Sequence, residues 1–386
     1  MSKIVFFCIP AYGHTNPTLP VIRELTSLGH EVYYYSFLEF KEKIEAAGAH
    51  FIGCDDYDLG MDDADSERVA RDIVFSTELV VRATLAMDEK ITADMETLKP
   101  DVIVSDSVAY WGKLIAMKLN IPFVSSTTTF AFNDASSRIM KPSIGQLFKM
   151  IIDMPKTAKC LAPLREKGYP ADNILSIVRN DNDTRTIVYT SKEFQPCAET
   201  FSDLYTFVGP VIRDTSEKIE KTGEKLVYIS LGTVNNNMTE FYRSCIDAFK
   251  ESNYEVILSV GKNTDIDSLG DIPPHIHVYQ SVDQIAVLQK ADVFLSHCGM
   301  NSANESLYFG VPLVLFPQTS EQGGVARRTA EVGAGQMLTS TKSILKTVET
   351  VMNTPSYREK AQQISESFHK CGGAKEAAQA ILKAMR

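Results

Sequence analysis

Short apolar runs, each followed by enough chain for a helix, limit what this sequence can fold into. In the first half they are Ile4–Ile9, Val32–Tyr35, Asp101–Val104, Phe123–Val124 and Thr186–Tyr189; in the second they are Leu226–Leu231, Val256–Val260, Ile276–Tyr279, Val293–Leu295 and Leu313–Phe316. These runs are rich in β-branched and aromatic residues and mostly do not alternate with polar ones, which is the pattern of parallel strands buried on both faces. Such strands need helices above and below, so the expected class is α/β with two sheets of βαβ type. At 386 residues the chain also exceeds what one hydrophobic core usually supports. The polar stretch Arg213–Glu224 follows Gly209-Pro210 and marks a boundary. We therefore expect a first domain over 1–212, a linker over 213–224, a second domain over 225–360 and a helical end over 361–386. Tyr357–Met385 reads as helix interrupted at Cys371-Gly372-Gly373.

Composition excludes several classes of partner. Lys and Arg number 39 against 49 Asp and Glu, for a net charge of −10, and the basic residues are dispersed, so nucleic acid is not expected. An anionic ligand has to be met by local groups instead. No apolar stretch approaches ~18–20 residues, and Met1–Pro10 reads as a first strand and not as a signal peptide, so no stable membrane association is expected. Seven scattered cysteines without a C-x-x-C pair indicate neither a disulfide framework nor a zinc site, and fit a reducing cytoplasm. A monomer or weak dimer is expected.

Two turns after apolar runs have the chemistry of a phosphate seat. His297-Cys298-Gly299-Met300-Asn301-Ser302-Ala303-Asn304-Glu305-Ser306 follows Val293–Ser296. A strand that ends in a glycine turn and opens a helix presents unpaired N–H groups and a positive dipole end to an anion. Ser302 to Glu305 also spells a capping box, which starts helices in proteins that bind nothing. Ser230-Leu231-Gly232-Thr233 is a second such turn, in which glycine admits close backbone approach and two hydroxyls can donate. The dinucleotide fingerprint and the P-loop pattern are both absent.

The first apolar run leads into Pro10-Ala11-Tyr12-Gly13-His14-Thr15-Asn16-Pro17, where Asn16 is the expected N-cap and Pro17 the first helical residue. His14 then stands at the carboxyl end of a strand, on the rim where open α/β sheets bind ligands. Asp106 ends another predicted strand of the same half. If both strands are parallel, the two side chains share a rim, and a carboxylate bonded to a histidine fixes its tautomer and supports its protonated form. Asp106 as the cap of a helix starting near Ser107 is the competing role.

Together these residues resemble family 1 glycosyltransferases, the UDP-glycosyltransferase superfamily, and within it the bacterial macrolide and flavonoid glucosyltransferases. Gly13-His14-Thr15-Asn16-Pro17 is similar to the family's catalytic-histidine turn, and Ser105-Asp106 to its partner-aspartate strand end. Ile276–Gln322 is similar to its nucleotide-sugar signature: His297 to Ser302, then Glu305, Gly310-Val311-Pro312 and Glu321-Gln322. The resemblance implies a GT-B architecture, two Rossmann-like domains with parallel sheets facing across a cleft, and a C-terminal helix packing back on the first domain. It implies His14 as general base and Asp106 as its partner. Ser230, Gly232, Thr233, His297, Gly299, Met300, Asn301 and Ser302 would line the diphosphate site, Glu305 the ribose, and Glu321 and Gln322 the donor sugar.

One departure concerns the base. The family's W-x-P-Q segment reads Ser281-Val282-Asp283-Gln284 here, so the aromatic partner is missing while Val282 keeps its backbone groups for uracil. Stacking on a base contributes ~1–3 kcal/mol, so the donor base is less firmly specified, with UDP favoured and dTDP the alternative. The sole tryptophan, Trp111, belongs to the other half.

The expected activity is inverting, metal-independent transfer of a hexose, glucose first, from a UDP-sugar co-substrate to a hydroxyl of a hydrophobic small molecule such as a flavonoid or phenol, macrolide or terpenoid. No cofactor is expected, and the D-x-D triplets at Asp181–Asp183 and Asp265–Asp267 are read as surface loops. A nucleotide-sugar epimerase of the same fold is the rival reading. Phe75, Leu79, Phe130, Phe132, Ile144, Phe148 and Met150 line either an acceptor pocket or plain core.

Overall fold

Residues 1–57, 68, 72–137, 144–178, 180, 182–232 and 238–385 are described in the computed structural model, and the side chains described exclude those of 134, 137 and 144–151. The chain forms two compact units. Met1–Ser191, Gln195–Val211 and Cys371–Arg386 make the first, and Lys192–Phe194 with Ile212–Lys370 the second.

The first unit is built on seven parallel strands: β1 (Lys3–Phe7), β2 (Glu31–Ser36), β3 (His50–Gly53), β4 (Val102–Asp106), β5 (Phe123–Thr127), β6 (Thr186–Val188) and β7 (Tyr205–Phe207). Their order across the sheet is β3-β2-β1-β4-β5-β6-β7. Successive side chains of a strand point to opposite faces. Ile4 and Phe6 accordingly pack with Leu19, Ile22, Leu25 and Ile381 in one core, and Val5 and Phe7 with Met87, Ile91, Leu114 and Ile115 in another. Two covered faces explain why the strands read as continuous apolar runs. Gly373–Ala384 is the last helix and packs against the Thr18–Ser27 helix of this unit.

The second unit carries β8 (Leu226–Ser230), β9 (Glu255–Ser259), β10 (Ile276–Tyr279), β11 (Val293–Ser296), β12 (Leu313–Leu315) and β13 (Gly335–Met337), all parallel, in the order β10-β9-β8-β11-β12-β13. Val227, Ile229, Val293 and Leu295 pack on Phe241, Phe249, Ile344 and Val348. Between them in sequence, Tyr228 and Phe294 point to the opposite face and stack with ring centroids 4.5 Å apart.

In both sheets the order turns back beside the first strand. The chain lays strands outward on one side of β1 or β8, then crosses to β4 or β11 on the other. The crossover helices of adjacent strands diverge there and leave a crevice at the carboxyl ends, the place where doubly wound folds bind ligands.

Two local expectations are corrected. Asn16 is not an N-cap: Tyr12–Thr15 already forms one helical turn, Asn16 donates its N–H to Tyr12, and Pro17 caps the Thr18–Ser27 helix. The helix that follows the His297 turn begins at Met300, not near Ser302, and its N-cap is Gly299. Among the described residues no helix is long and apolar enough to cross a membrane.

Gly112 tests the packing that sets β4. A Cβ there would lie 2.7 Å from Ser105 Cβ and 2.9 Å from Phe7 Cδ2, both in strands. Alanine gains about 1 kcal/mol of helix propensity over glycine, whereas overpacking a tight core costs about 1–3 kcal/mol, and with strand atoms as neighbours the clash wins. Gly112→Ala should lower the urea midpoint of the transition reported by Trp111 fluorescence; an unchanged or higher midpoint would show that Ser105 and Phe7 yield freely.

Candidate active site

The first unit brings His14 and Asp106 together at the carboxyl ends of β1 and β4. β1 ends at Phe7, the chain extends to Ala11, and the single turn Tyr12–Thr15 carries His14 to the carboxyl end of the neighbouring strand β4. His14 Nδ1 lies 2.7 Å from Asp106 Oδ2. The other carboxylate oxygen, Oδ1, accepts the N–H of Val108 at 2.9 Å. The helix expected near Ser107 begins at Tyr110 with Ala109 as its N-cap and no side-chain cap, so Asp106 does not cap it; one of its oxygens ties down the turn after β4 and the other holds the imidazole. The Asp106 side chain is 2% exposed and that of His14 is 19% exposed, so of the pair it is the His14 side chain that reaches solvent. The tautomer that suits this contact has Nδ1 donating to the carboxylate oxygen, with the lone pair on Nε2.

Thr128, one residue past β5, adds a second oxygen 3.0 Å from Nδ1. Sequence reasoning missed it because a threonine after a strand carries no motif. Under the His14 turn, Thr18 Oγ1 and Tyr34 OH are bonded at 2.9 Å, and Cys8 Sγ lies 3.8 Å from Thr15 Oγ1. Burial holds the Cys8 thiol far above its usual range, so it is a neutral part of this floor.

The second unit gathers its two turns around one ring. β8 ends at Ser230 and β11 at Ser296, paired in register, so the segments that follow leave the sheet side by side. The His297 imidazole fills the space between them. A Cβ on Gly232, whose φ is +80°, would lie 2.7 Å from His297 Cε1, and one on Gly299 would lie 2.6 Å from His297 Nε2. A side chain at either place would press on this ring, and at Gly232 the positive φ favours glycine in its own right. Burial pushes the His297 pKa down to about 4, against a contact with the Ser230 backbone that works the other way. The ring is thus neutral near pH 7, and its Nδ1 is buried without a hydrogen-bond partner among the described residues.

Met300–Tyr308 then starts at the end of this turn with no side-chain cap, leaving its first N–H groups without the side-chain acceptor that an N-cap would supply. Met300 is buried and Asn301 and Ser302 half-buried in the first turn. The S-x-x-E capping box is not formed. Glu305 Oε2 instead accepts Gln284 Nε2 at 2.5 Å, and the same nitrogen lies 3.3 Å from Ser302 Oγ. Burial raises the Glu305 carboxyl, opposed by the Gln284 bond and the field of Arg213. Gln284 was within reach of the sequence, as the last residue of the W-x-P-Q-like segment. Ser281 is exposed and Val282 half-buried in the loop between β10 and the Gln284–Leu288 helix.

A true capping box occurs further on. Thr319 Oγ1 accepts the N–H of Gln322, and Gln322 Oε1 accepts the N–H groups of Gln318 and Thr319 at 2.8 and 3.2 Å. The Gln322 oxygen is thereby committed to the turn, which leaves its NH₂ as the group able to meet a ligand. Glu321 stands in the first turn of the Ser320–Glu331 helix, which packs beside Met300–Tyr308.

Thr233 and Asp181 lie outside the described residues, as do the side chains of Ile144, Phe148 and Met150. Of the remaining apolar candidates, Phe130 is core, Phe75 and Leu79 are half-buried, and Phe132 is exposed. Asp265 caps a short 3₁₀ turn by accepting the N–H of Asp267. Among the described residues no group of three or more His, Cys, Asp or Glu is placed to hold a metal ion.

Comparison with known proteins gives this arrangement a family. Residues 243–383 match the model described as erythromycin biosynthesis protein CIII-like, C-terminal domain. An uncharacterized UDP-glucosyltransferase YojK of Bacillus subtilis (strain 168) is 34% identical, over 100% of this chain and 98% of its own length. Demethyllactenocin mycarosyltransferase of Streptomyces fradiae is 31% identical, over 88% of this chain and 76% of its own. The crystal structure of the glycotransferase of kitacinnamycin superposes with a TM-score of 0.87 at 25% identity, covering 100% of this chain and 99% of that one. The chain is therefore an enzyme of the GT-B fold, a glycosyltransferase of the antibiotic and natural-product type, and it belongs to the family 1 UDP-glycosyltransferases.

Proposed function

We propose that this enzyme transfers a hexose, glucose first, from a UDP-sugar to a hydroxyl of a hydrophobic small molecule, with inversion, with His14 as general base and without a metal or other cofactor. The pair His14 Nδ1–Asp106 Oδ2 at 2.7 Å carries the proposal. It leaves Nε2 as the basic nitrogen on the only part of the pair that reaches solvent.

The chemistry follows in one displacement. His14 Nε2 takes the proton of an acceptor hydroxyl while that oxygen forms a bond to the anomeric carbon. The bond from that carbon to the diphosphate breaks on the opposite side, its electron pair leaving with UDP. Asp106, buried and bonded to Nδ1, stabilises the imidazolium that results. No covalent enzyme intermediate is needed.

On the donor side, the N–H groups opening Met300–Tyr308, the Ser230 hydroxyl and the neutral His297 ring supply donors where negative charge develops on the leaving diphosphate. Glu305, presented by Gln284, suits the ribose hydroxyls, and Glu321 with the NH₂ of Gln322 the sugar. The relative named a UDP-glucosyltransferase supports the uridine donor and the glucose. An acceptor of phenol, macrolide or terpenoid type rests on likeness to natural-product enzymes. Seven free cysteines are in keeping with a cytoplasmic setting.

The direct test is a UDP-release assay crossing UDP-glucose and dTDP-glucose with flavonoid, macrolide and terpenoid alcohols in excess EDTA. Release should require an acceptor and be fastest from UDP-glucose. Donor turnover without an acceptor would indicate an epimerase, and loss of activity in EDTA restored by Mn²⁺ would overturn the metal-free mechanism.

His14→Ala should lower kcat by roughly 10²–10⁴-fold, the usual contribution of a general base, while UDP binding measured by calorimetry stays within about twofold. Near-wild-type transfer by this variant would remove His14 from the mechanism. Asp106→Asn keeps an acceptor for Val108 but withdraws the charge, and should cost at least about 10²-fold in kcat by analogy with catalytic triads. A loss of less than a few fold would leave Asp106 with its turn-holding role alone.

A further inference from the structure

The segment that leads into the second unit is fastened to the donor site at one of the two positions where this chain departs from the family's W-x-P-Q pattern. Asp283 stands where the family has proline. Its two oxygens receive a bidentate Arg213 guanidinium, Nη1 to Oδ2 at 2.8 Å and Nη2 to Oδ1 at 2.7 Å, and the Thr215 hydroxyl at 2.7 Å. Oδ1 also accepts the N–H groups of Ile285 and Ala286, capping the Gln284–Leu288 helix.

The clamp reproduces by hydrogen bonding what a ring does covalently. Asp283 has φ −67°, the angle that a proline would impose. Gln284 follows at once and is the residue that holds Glu305. Arg213 is half exposed, and an exposed ion pair adds little to stability by itself. Asp283, however, is 9% exposed and bonded on both oxygens, so the pair restrains geometry.

We propose that Arg213 and Thr215 are positioning residues of the donor site, holding Asp283 so that the backbone of Ser281 and Val282 and the Gln284–Glu305 pair stay set for the nucleoside. This rests on the donor reading given above. Lysine cannot replace the arginine fully, because a single ammonium cannot engage both oxygens in one plane.

Calorimetric titration with UDP and with inorganic pyrophosphate, beside steady-state kinetics with UDP-glucose, tests the clamp. Arg213→Met should weaken UDP binding about tenfold and raise the donor KM by the same factor with kcat within about twofold, the signature of lost ground-state binding. Pyrophosphate binding should not change, since it avoids the nucleoside. Arg213→Lys should recover part of the loss. Asp283→Asn retains the helix cap, and combined with Arg213→Met it should cost no more than either change alone, because both break one coupling. UDP binding within twofold of wild type in Arg213→Met overturns the proposal, as does a parallel loss of pyrophosphate binding, which would mean general loosening. A wild-type enzyme that binds pyrophosphate but not UDP overturns the donor reading and the clamp with it, whereas unaltered variants of a UDP-binding enzyme overturn the clamp alone.

Discussion

Strand order reverses once in each sheet, beside β1 and beside β8, and the chemistry of both units is organised by that reversal. A parallel strand can present a side chain to solvent only at its ends, because both faces are covered. Where two crossovers part to opposite sides, the carboxyl ends of two adjacent strands face a space that no helix fills. In the first unit the segments leaving β1 and β4 meet there as His14 and Asp106, and in the second those leaving β8 and β11 meet as Gly232 and His297. The positions of these groups follow from topology before any side chain is chosen.

Side chains then do double service in the crevices. Asp106 splits its carboxylate between a backbone amide and an imidazole, so the turn that follows β4 and the orientation of His14 are set by one group. Of the two readings of Asp106 open at the sequence level, the helix cap is not formed, because the helix opens at Tyr110 under Ala109 and the carboxylate is taken by Val108 and His14. His297 behaves in a similar way in the second unit, as a half-buried ring that spaces two glycine turns and, on the proposed mechanism, as a neutral donor to the leaving group. In both cases a residue that supports the fold and a residue suited to chemistry are the same residue.

Much of this was legible in the sequence, and the gaps have physical reasons. The central strands were visible because covered faces select continuous runs of Val, Ile, Leu and Phe. The strands His50–Gly53, Tyr205–Phe207 and Gly335–Met337 were not, and all three lie at sheet edges, where three or four residues with one open side need no such pattern. The site turns were visible through glycine and polar residues after apolar runs. Helix starts were less so: Ser302 and Glu305 spell a capping box that the structure does not form, because the helix opens two residues earlier and Glu305 is taken by Gln284. Thr128 and Arg213 had no local signal at all, since their partners lie 114 and 70 residues away.

The depressed pKa of His297 has a further consequence on the proposed mechanism. A ring whose proton equilibrium lies near pH 4 keeps one charge state throughout the neutral range, so the contribution of His297 to these turns does not vary with pH there. His14, by contrast, must gain and lose a proton in every turnover. On that mechanism the two histidines divide the labour: His297 keeps a fixed charge state beside the departing group, and His14 exchanges a proton with the acceptor.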